Sequence, residues 1–491
     1  MSNESSDLLR ALREHSISRR TLLGSLFFSA LASTTVGRAL GVGEPVITQI
    51  LGRPTNTSVA VSLLASEKVT AYIEYGYSKS KYTGKSSQVT LLAGIPQVLE
   101  LNSLKPNSRL YYRLRFAVTG SKTLQAGKQY SFNTQRAQGS PFAFSVQGDT
   151  HPERAGKMFN SDLYYVTMAN IAAQQPDFHI LLGDDFSIDP LIDRGAANQA
   201  NVEKIYGTHR NWLAVAGSSV PIFLVNGNHE QAAGYLLDGT KSSPAVLAGN
   251  ARLKYFALPA PNSFYSGDLE EIPEVGLPRD YYSWNWGDAL FITLDPYWHS
   301  KYAVDNVAGN SDGSAKVKDL WKVGIGDEQY AWLKKTLENS SAKYKFIFAH
   351  HVLGTGRGGV EVSTTYEWGG TDPKGISTFA KERPNWELPI HDLMVKHGVS
   401  VFFQGHDHIF VHQERDGVVY QSMPNPADDT FSMFNDSAYK TGAKAPNSGH
   451  VRVSVSPTEA KVEYFLAARA KDLGRKNLEL AHAYVIKPYL K

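Results

Sequence analysis

Five short motifs in the second half of the chain carry side chains of the kinds that hold metal ions. They are Gly148-Asp149-Thr150-His151, Gly183-Asp184-Asp185, Gly227-Asn228-His229-Glu230, His350-His351 and Gly405-His406-Asp407-His408. Each follows an apolar run, at 142–146, 178–182, 220–225, 345–349 and 399–403. Such a run, closed by glycine or a polar group, reads as a buried strand whose carboxyl end delivers the side chains, the edge where open α/β sheets place ligands. One motif alone would be ordinary, since Asp and Asn after a strand commonly cap or turn and a histidine pair usually bonds locally. Five in succession point to a site, and oxygen and imidazole donors without sulfur suit Mn, Fe, Zn or Ni.

The elements that must position these residues alternate. Strands at 142–146, 178–182 and 220–225 enclose helical spacings at 163–173 and 202–215, which makes a βαβαβ core. Beyond it the pattern predicts a hairpin over 281–294 through Trp286-Gly287-Asp288, a capped helix over 327–337 and a helix over 386–396. Further strands are expected at 418–423, 451–455 and 462–466, while 232–279 and 353–383 read as long loop-rich insertions. Ahead of the core, 45–134 is all strand: 59–63, 71–75 and 110–116 alternate apolar and polar residues, with turn residues between them. Gly139-Ser140-Pro141 marks the boundary.

Composition narrows the class. Hydrophobic residues make up 42% of the 491, which is globular, and a net charge of +3 is too small to argue for a nucleic-acid or membrane surface. The absence of cysteine excludes disulfides, thiolate ligands and cysteine nucleophiles. At the start, Ser18-Arg19-Arg20-Thr21 precedes the short apolar run 26–32, the plan of an export signal too short to span a membrane comfortably. The paired arginines resemble the twin-arginine signal, which implies passage of the folded chain through that export machinery, cleavage between Ala32 and Leu40, a periplasmic or extracellular location, and no stable membrane span in the mature chain.

The ordered series of five motifs resembles the calcineurin-like metallophosphoesterase superfamily, over essentially everything after residue 140. The run Leu104-Lys105-Pro106-Asn107-Ser108-Arg109-Leu110-Tyr111-Tyr112-Arg113 resembles the fibronectin type III-like domain found in front of purple acid phosphatases. The resemblance implies an α/β fold, a metallophosphoesterase αββα sandwich preceded by an all-β fibronectin III-like sandwich. The chain would divide into a signal at 1–40, the β-sandwich at 44–136 and the catalytic domain at 140–491.

It also implies roles. Asp149, His151 and His408 would hold one metal, Asn228, His350 and His406 the other, and Asp184 would bridge the two divalent or trivalent ions, with Mn, Fe or Zn foremost. A water between the ions would be acidified into the hydroxide that attacks phosphorus in a small phosphorylated substrate. His229 would contact the phosphoryl group with Asn228 and protonate the leaving oxygen. Asp185 and Asp189 are candidates to orient it, though Asp185 is equally a turn residue. His351 and Asp407 would support the ligands from behind, with an exchange between His350 and His351 left open. Arg357, from the glycine-rich 354–359, could reach a phosphate. Purple acid phosphatases place a metal-binding tyrosine where this chain has Ser187 and lack a histidine at the position of His151, so no tyrosinate-to-iron colour is expected. The function expected is an exported phosphomonoesterase. Alternatives are a phosphodiesterase or nucleotide hydrolase on the same metals, and a surface binding protein with a structural metal site.

Overall fold

The computed structural model describes residues 45–121, 123–304, 319–352 and 356–489. The arginine pair and apolar run of the expected signal lie outside them, as do Gly354 and Thr355 of the glycine-rich stretch.

Two sheets pack face to face between helical layers. In the first, Phe142–Gln147, Phe178–Leu181 and Ile222–Leu224 run parallel, and Gly449–Val455 and Ala460–Leu466 continue it antiparallel on the other flank. In the second, Ala289–Thr293, Tyr344–Phe348, Val401–Gln404 and Val418–Ser422 are parallel. Aromatic side chains from both inner faces fill the space between them: Phe144 meets Phe291 edge-on at 5.0 Å, and Phe348 stacks on Phe403 at 5.0 Å. Each fully buried phenyl of this kind stabilises the sandwich by roughly 1.5–3 kcal/mol.

The helices Ser161–Gln174, Gln199–Gly217 and Pro244–Tyr255 cover the outside of the first sheet, and Gly326–Glu338 and Ile390–Lys396 that of the second. Asn160 and Asn198 start the first two, each side chain accepting first-turn amides. The order is therefore αββα.

Three expectations are corrected. The helix predicted from 386 begins at Ile390, because Pro389 cannot donate within a helix and serves as its cap; Trp386 instead stacks on Tyr330 at 3.9 Å. Gly326–Glu338 starts without a side-chain cap bond. The insertion 232–279 contains the largely buried twelve-residue helix Pro244–Tyr255, whose face pattern is blurred because it is covered nearly all round.

The N-terminal β region grows out of the first sheet. Gly52 pairs in parallel with Ile222, so Ile47–Gly52, Val59–Ala65 and Gln97–Leu101 extend the central strands outward. A second sheet built on Val69–Gly76 and Arg109–Val118 closes over them, burying Leu51, Val61, Ile73, Leu99 and Leu110. Polar contacts fasten the junction: the Tyr112 hydroxyl donates to the Ser218 carbonyl at 2.6 Å, and the Arg210 guanidinium donates to Thr48, Ser62 and the Tyr255 carbonyl.

Candidate metal centre

The five polar motifs follow the carboxyl ends of parallel strands from both sheets, and the sandwich brings those ends together. Asp149, His151, Asp184, His406 and His408 all adopt left-handed backbone, with φ between 47° and 69°. Non-glycine residues avoid that region unless the surroundings impose it, and such residues concentrate at functional sites. Here it turns each strand sharply, so that side chains at i and i+2 project to one place.

Donor atoms gather in overlapping groups, each within 4.8 Å: Asp149 with His151 and His408, His151 with Asp184 and His229, and Asp184 with His350 and His406. Asp184 is thus common to both sides. His350 donates through Nδ1 to the Leu182 carbonyl at 2.7 Å, which leaves the Nε2 lone pair of the neutral ring facing Asp184 Oδ2 at 3.1 Å and Asn228 Oδ1 at 3.1 Å. The same Asn228 oxygen lies 3.1 Å from His406 Nδ1, and Asp184 Oδ2 lies 3.3 Å from His151 Nε2. Lone pairs aimed at one another are repulsive until a cation or a proton stands between them. Asn228 Nδ2 and His408 Nδ1 are buried without a hydrogen-bond partner. The donor set therefore fits a pair of metal ions.

Electrostatics point the same way. Burial works to lower His350, but the charges of Asp184 and Asp149 outweigh it and push the ring up to about 10. For His151, burial is again outweighed, by Glu153 at 2.7 Å and by Asp184, and the value rises to about 10. Burial lifts Asp149 to about 6 although His350 pulls it down. Without cations, the cluster gathers protons.

Around these residues sits a frame. Glu230, fully buried, accepts the amides of Gly227, Asp184, Asp185 and Phe186 at 2.5, 2.9, 2.7 and 3.0 Å. Asp184 Oδ1 accepts the amide of His229 at 3.0 Å. His229 Nδ1 pairs with Asp189, while Arg154 Nη2 donates to its Nε2 at 3.1 Å. Asp185 points elsewhere, accepting from Thr150 and Gln147.

Behind the last motif, Asp407 accepts from Gly358 N at 2.8 Å, the Tyr439 hydroxyl at 2.6 Å and Arg357 Nη1 at 3.1 Å. Arg357 also donates to the His406 carbonyl at 2.6 Å, so its guanidinium braces the backbone between the two histidines. His351 lies outside the donor groups: its ring stacks on His406 at 4.6 Å and its Nδ1 is 3.1 Å from the Tyr297 hydroxyl. Glu153, Arg154, Glu230, Tyr297 and Tyr439 were not singled out from the sequence. Glu230 had a weak signal there, standing in the third motif three residues after Gly227, whose amide it accepts, whereas Arg154 acts on His229, far from it in sequence.

The family model for calcineurin-like phosphoesterases matches residues 143–410, more than half of the chain. The chain belongs to that family. Among solved structures, the phosphoesterase is similar to a purple acid phosphatase isolated from yellow lupin (Lupinus luteus) seeds, with TM-score 0.58 and 16% identity over 90% of this chain and 74% of that one. It is also similar to PhoD, with TM-score 0.60 and 16% identity over 90% of each chain. At such identity the likeness concerns the fold. No curated protein sequence matches the phosphoesterase. Among the described residues, no helix is long and apolar enough to cross a membrane.

Proposed function

We propose that this phosphoesterase is an exported binuclear phosphatase that hydrolyses phosphate monoesters. The observation that carries the reading is the meeting of two donor groups at one carboxylate, Asp184. Asp149, His151 and His408 would hold one ion and Asn228, His350 and His406 the other, with Asp184 between them; Mn, Fe and Zn suit these donors. When bound, the ions supply an acidified water and neutralise phosphoryl oxygens. Asn228 Nδ2, buried and unpartnered, can donate to a phosphoryl oxygen. Once a bound phosphate draws the Arg154 guanidinium off His229 Nε2, that nitrogen is free to carry and deliver a proton to the leaving oxygen, and Asp189 on the other nitrogen stabilises the imidazolium and fixes the ring.

Monoesters are favoured over diesters by Arg154, whose guanidinium stands 3.1 Å from His229 Nε2 and adds a cation where a dianionic phosphate needs one. Export rests on the arginine pair at 19–20 ahead of the apolar run 26–32. Turnover of an aryl phosphate and the matching aryl diester by the metal-loaded protein tests the reading. A higher kcat/KM on the monoester is expected; preference for the diester would favour a phosphodiesterase, and turnover of neither would remove the enzyme reading. Asp184→Asn should abolish activity, and wild-type rates in that variant would refute the bridge.

A further inference from the structure

A second cluster of metal-type donors lies outside the site described above. Asp268 follows the strand Ser266–Gly267, Asp280 precedes Tyr282–Trp286, and His299 sits in the turn after Pro296. One donor atom from each falls within 4.8 Å of the others. His299 Nε2 is 2.7 Å from Asp280 Oδ2 and 3.8 Å from Asp268 Oδ2. Asp268 is 2% exposed and Asp280 not at all, yet Asp268 Oδ2 and Asp280 Oδ1 have no hydrogen-bond partner. The unpartnered Asp268 oxygen is the one facing His299.

The charge balance indicates what is missing. Two buried carboxylates with a neutral imidazole carry two negative charges, which one divalent cation cancels. With His299 paired to Asp280, the Asp268 carboxyl must hold a proton of its own, burial raising it to about 7, unless a cation stands between the three groups. We infer that Asp268, Asp280 and His299 form a third cation site, separate from the dinuclear centre, that takes a divalent ion of the Zn or Mn class. One imidazole and two carboxylates suit those ions better than calcium, which prefers a shell of six to eight oxygens.

The position suggests its work. The ion ties the end of the 232–279 insertion to the hairpin and to the turn at 295–300. In that turn Asp295 accepts from Asn226 Nδ2 at 2.6 Å, two residues before Asn228. The third site therefore braces the turn that carries a donor of the main centre without contributing an atom to it.

The test is metal content of the full chain after loading with Zn or Mn and removal of free metal. Asp268→Asn and Asp280→Asn should each hold one equivalent less than the wild type and keep aryl phosphatase activity within about threefold. Equal metal content in the wild type and both folded variants would overturn the inference, since a proton shared among the three groups would then account for them. Anomalous scattering from a zinc-loaded crystal of the wild type decides the matter even if the variants fail to fold. A peak between Asp268, Asp280 and His299 is expected, and no peak there while the main centre is occupied would refute the site. Because the readouts are a difference in metal content and a position in the crystal, failure of the phosphatase reading leaves this test standing.

Discussion

Glu230 grips the backbone of Asp184: its carboxylate accepts that residue's amide at 2.9 Å, while the Asp184 carboxylate accepts the amide of His229 at 3.0 Å. The turns at 183–186 and 227–230 are latched to each other through these bonds. In Glu230→Gln the amide group would set a donor against backbone donors, and the turn at Asp184 would loosen. Support of this kind is worth about 10–100-fold in metal affinity or activity. A drop of that size in kcat/KM, with weaker metal binding and unchanged circular dichroism, is expected. Unchanged metal affinity would show that the latch does not position Asp184.

Metal removal should be visible in stability as well as in rate. An ion that binds only the folded chain contributes about 2.7 kcal/mol at a hundredfold excess over its Kd. Chelation should therefore lower Tm by several degrees, and re-addition of Zn or Mn should restore both Tm and turnover. A Tm indifferent to chelator would argue against the repulsion described among Asn228, Asp184 and His350.

Two buried histidines should make the protein acid-sensitive. His179 accepts the Ser145 hydroxyl at Nδ1 (2.8 Å) and donates to Gln147 Oε1 (3.2 Å), and burial, helped by His450, lowers it to about 3. Burial, with Arg452 adding to it, lowers His450 to about 3 as well. The unfolded chain takes up these protons near the ordinary value of 6.5, whereas the folded chain does so only near 3. Stability is therefore intact above 6.5 and falls as pH drops towards 3, by up to about 1.4 kcal/mol per pH unit for each ring. Urea midpoints between pH 7 and 4 should show this slope, and His179→Gln should flatten it. An identical slope in the variant would assign the acid limb to other groups.

Arg210 is a fully buried cation with no carboxylate among its partners. Burial lowers it to about 9, and it stays in place by donating to Thr48 Oγ1 at 3.0 Å, Ser62 Oγ at 3.1 Å and the Tyr255 carbonyl at 2.7 Å. Arg210→Met would leave these acceptors unpaired at the junction of the N-terminal β region with the helical layer. A loss on the order of 3 kcal/mol is expected in equilibrium unfolding, with a lower urea midpoint. A change below about 0.5 kcal/mol, the range of an ordinary surface substitution, would mean that water replaces the guanidinium.

The sequence was most legible where chemistry and local pattern coincide. Asp149, Asp184, Asn228, His350, His406 and His408 each follow a strand, so order along the chain was enough to relate them. What could not be read depends on partners distant in sequence. Glu230 looks like any residue after a turn until it meets amides 44 to 46 positions upstream. Asp189 and Asp185 were both candidates for His229 because only the folded turn decides which carboxylate faces the ring. The bond between Gly52 and Ile222, which makes the N-terminal β region continuous with the central sheet, has no local signature at all. Asp268, Asp280 and His299 are scattered over irregular chain, where spacing carries no information.

The left-handed backbone at Asp149, His151, Asp184, His406 and His408 has a consequence for the protein's tolerance of change. At these five positions the conformation suits glycine, while the proposed metal chemistry demands a carboxylate or an imidazole. Selection for folding alone would drift towards glycine there, and selection for turnover forbids it. A search for more stable variants that scores only thermal resistance will therefore be drawn to the residues that the proposed reaction can least do without.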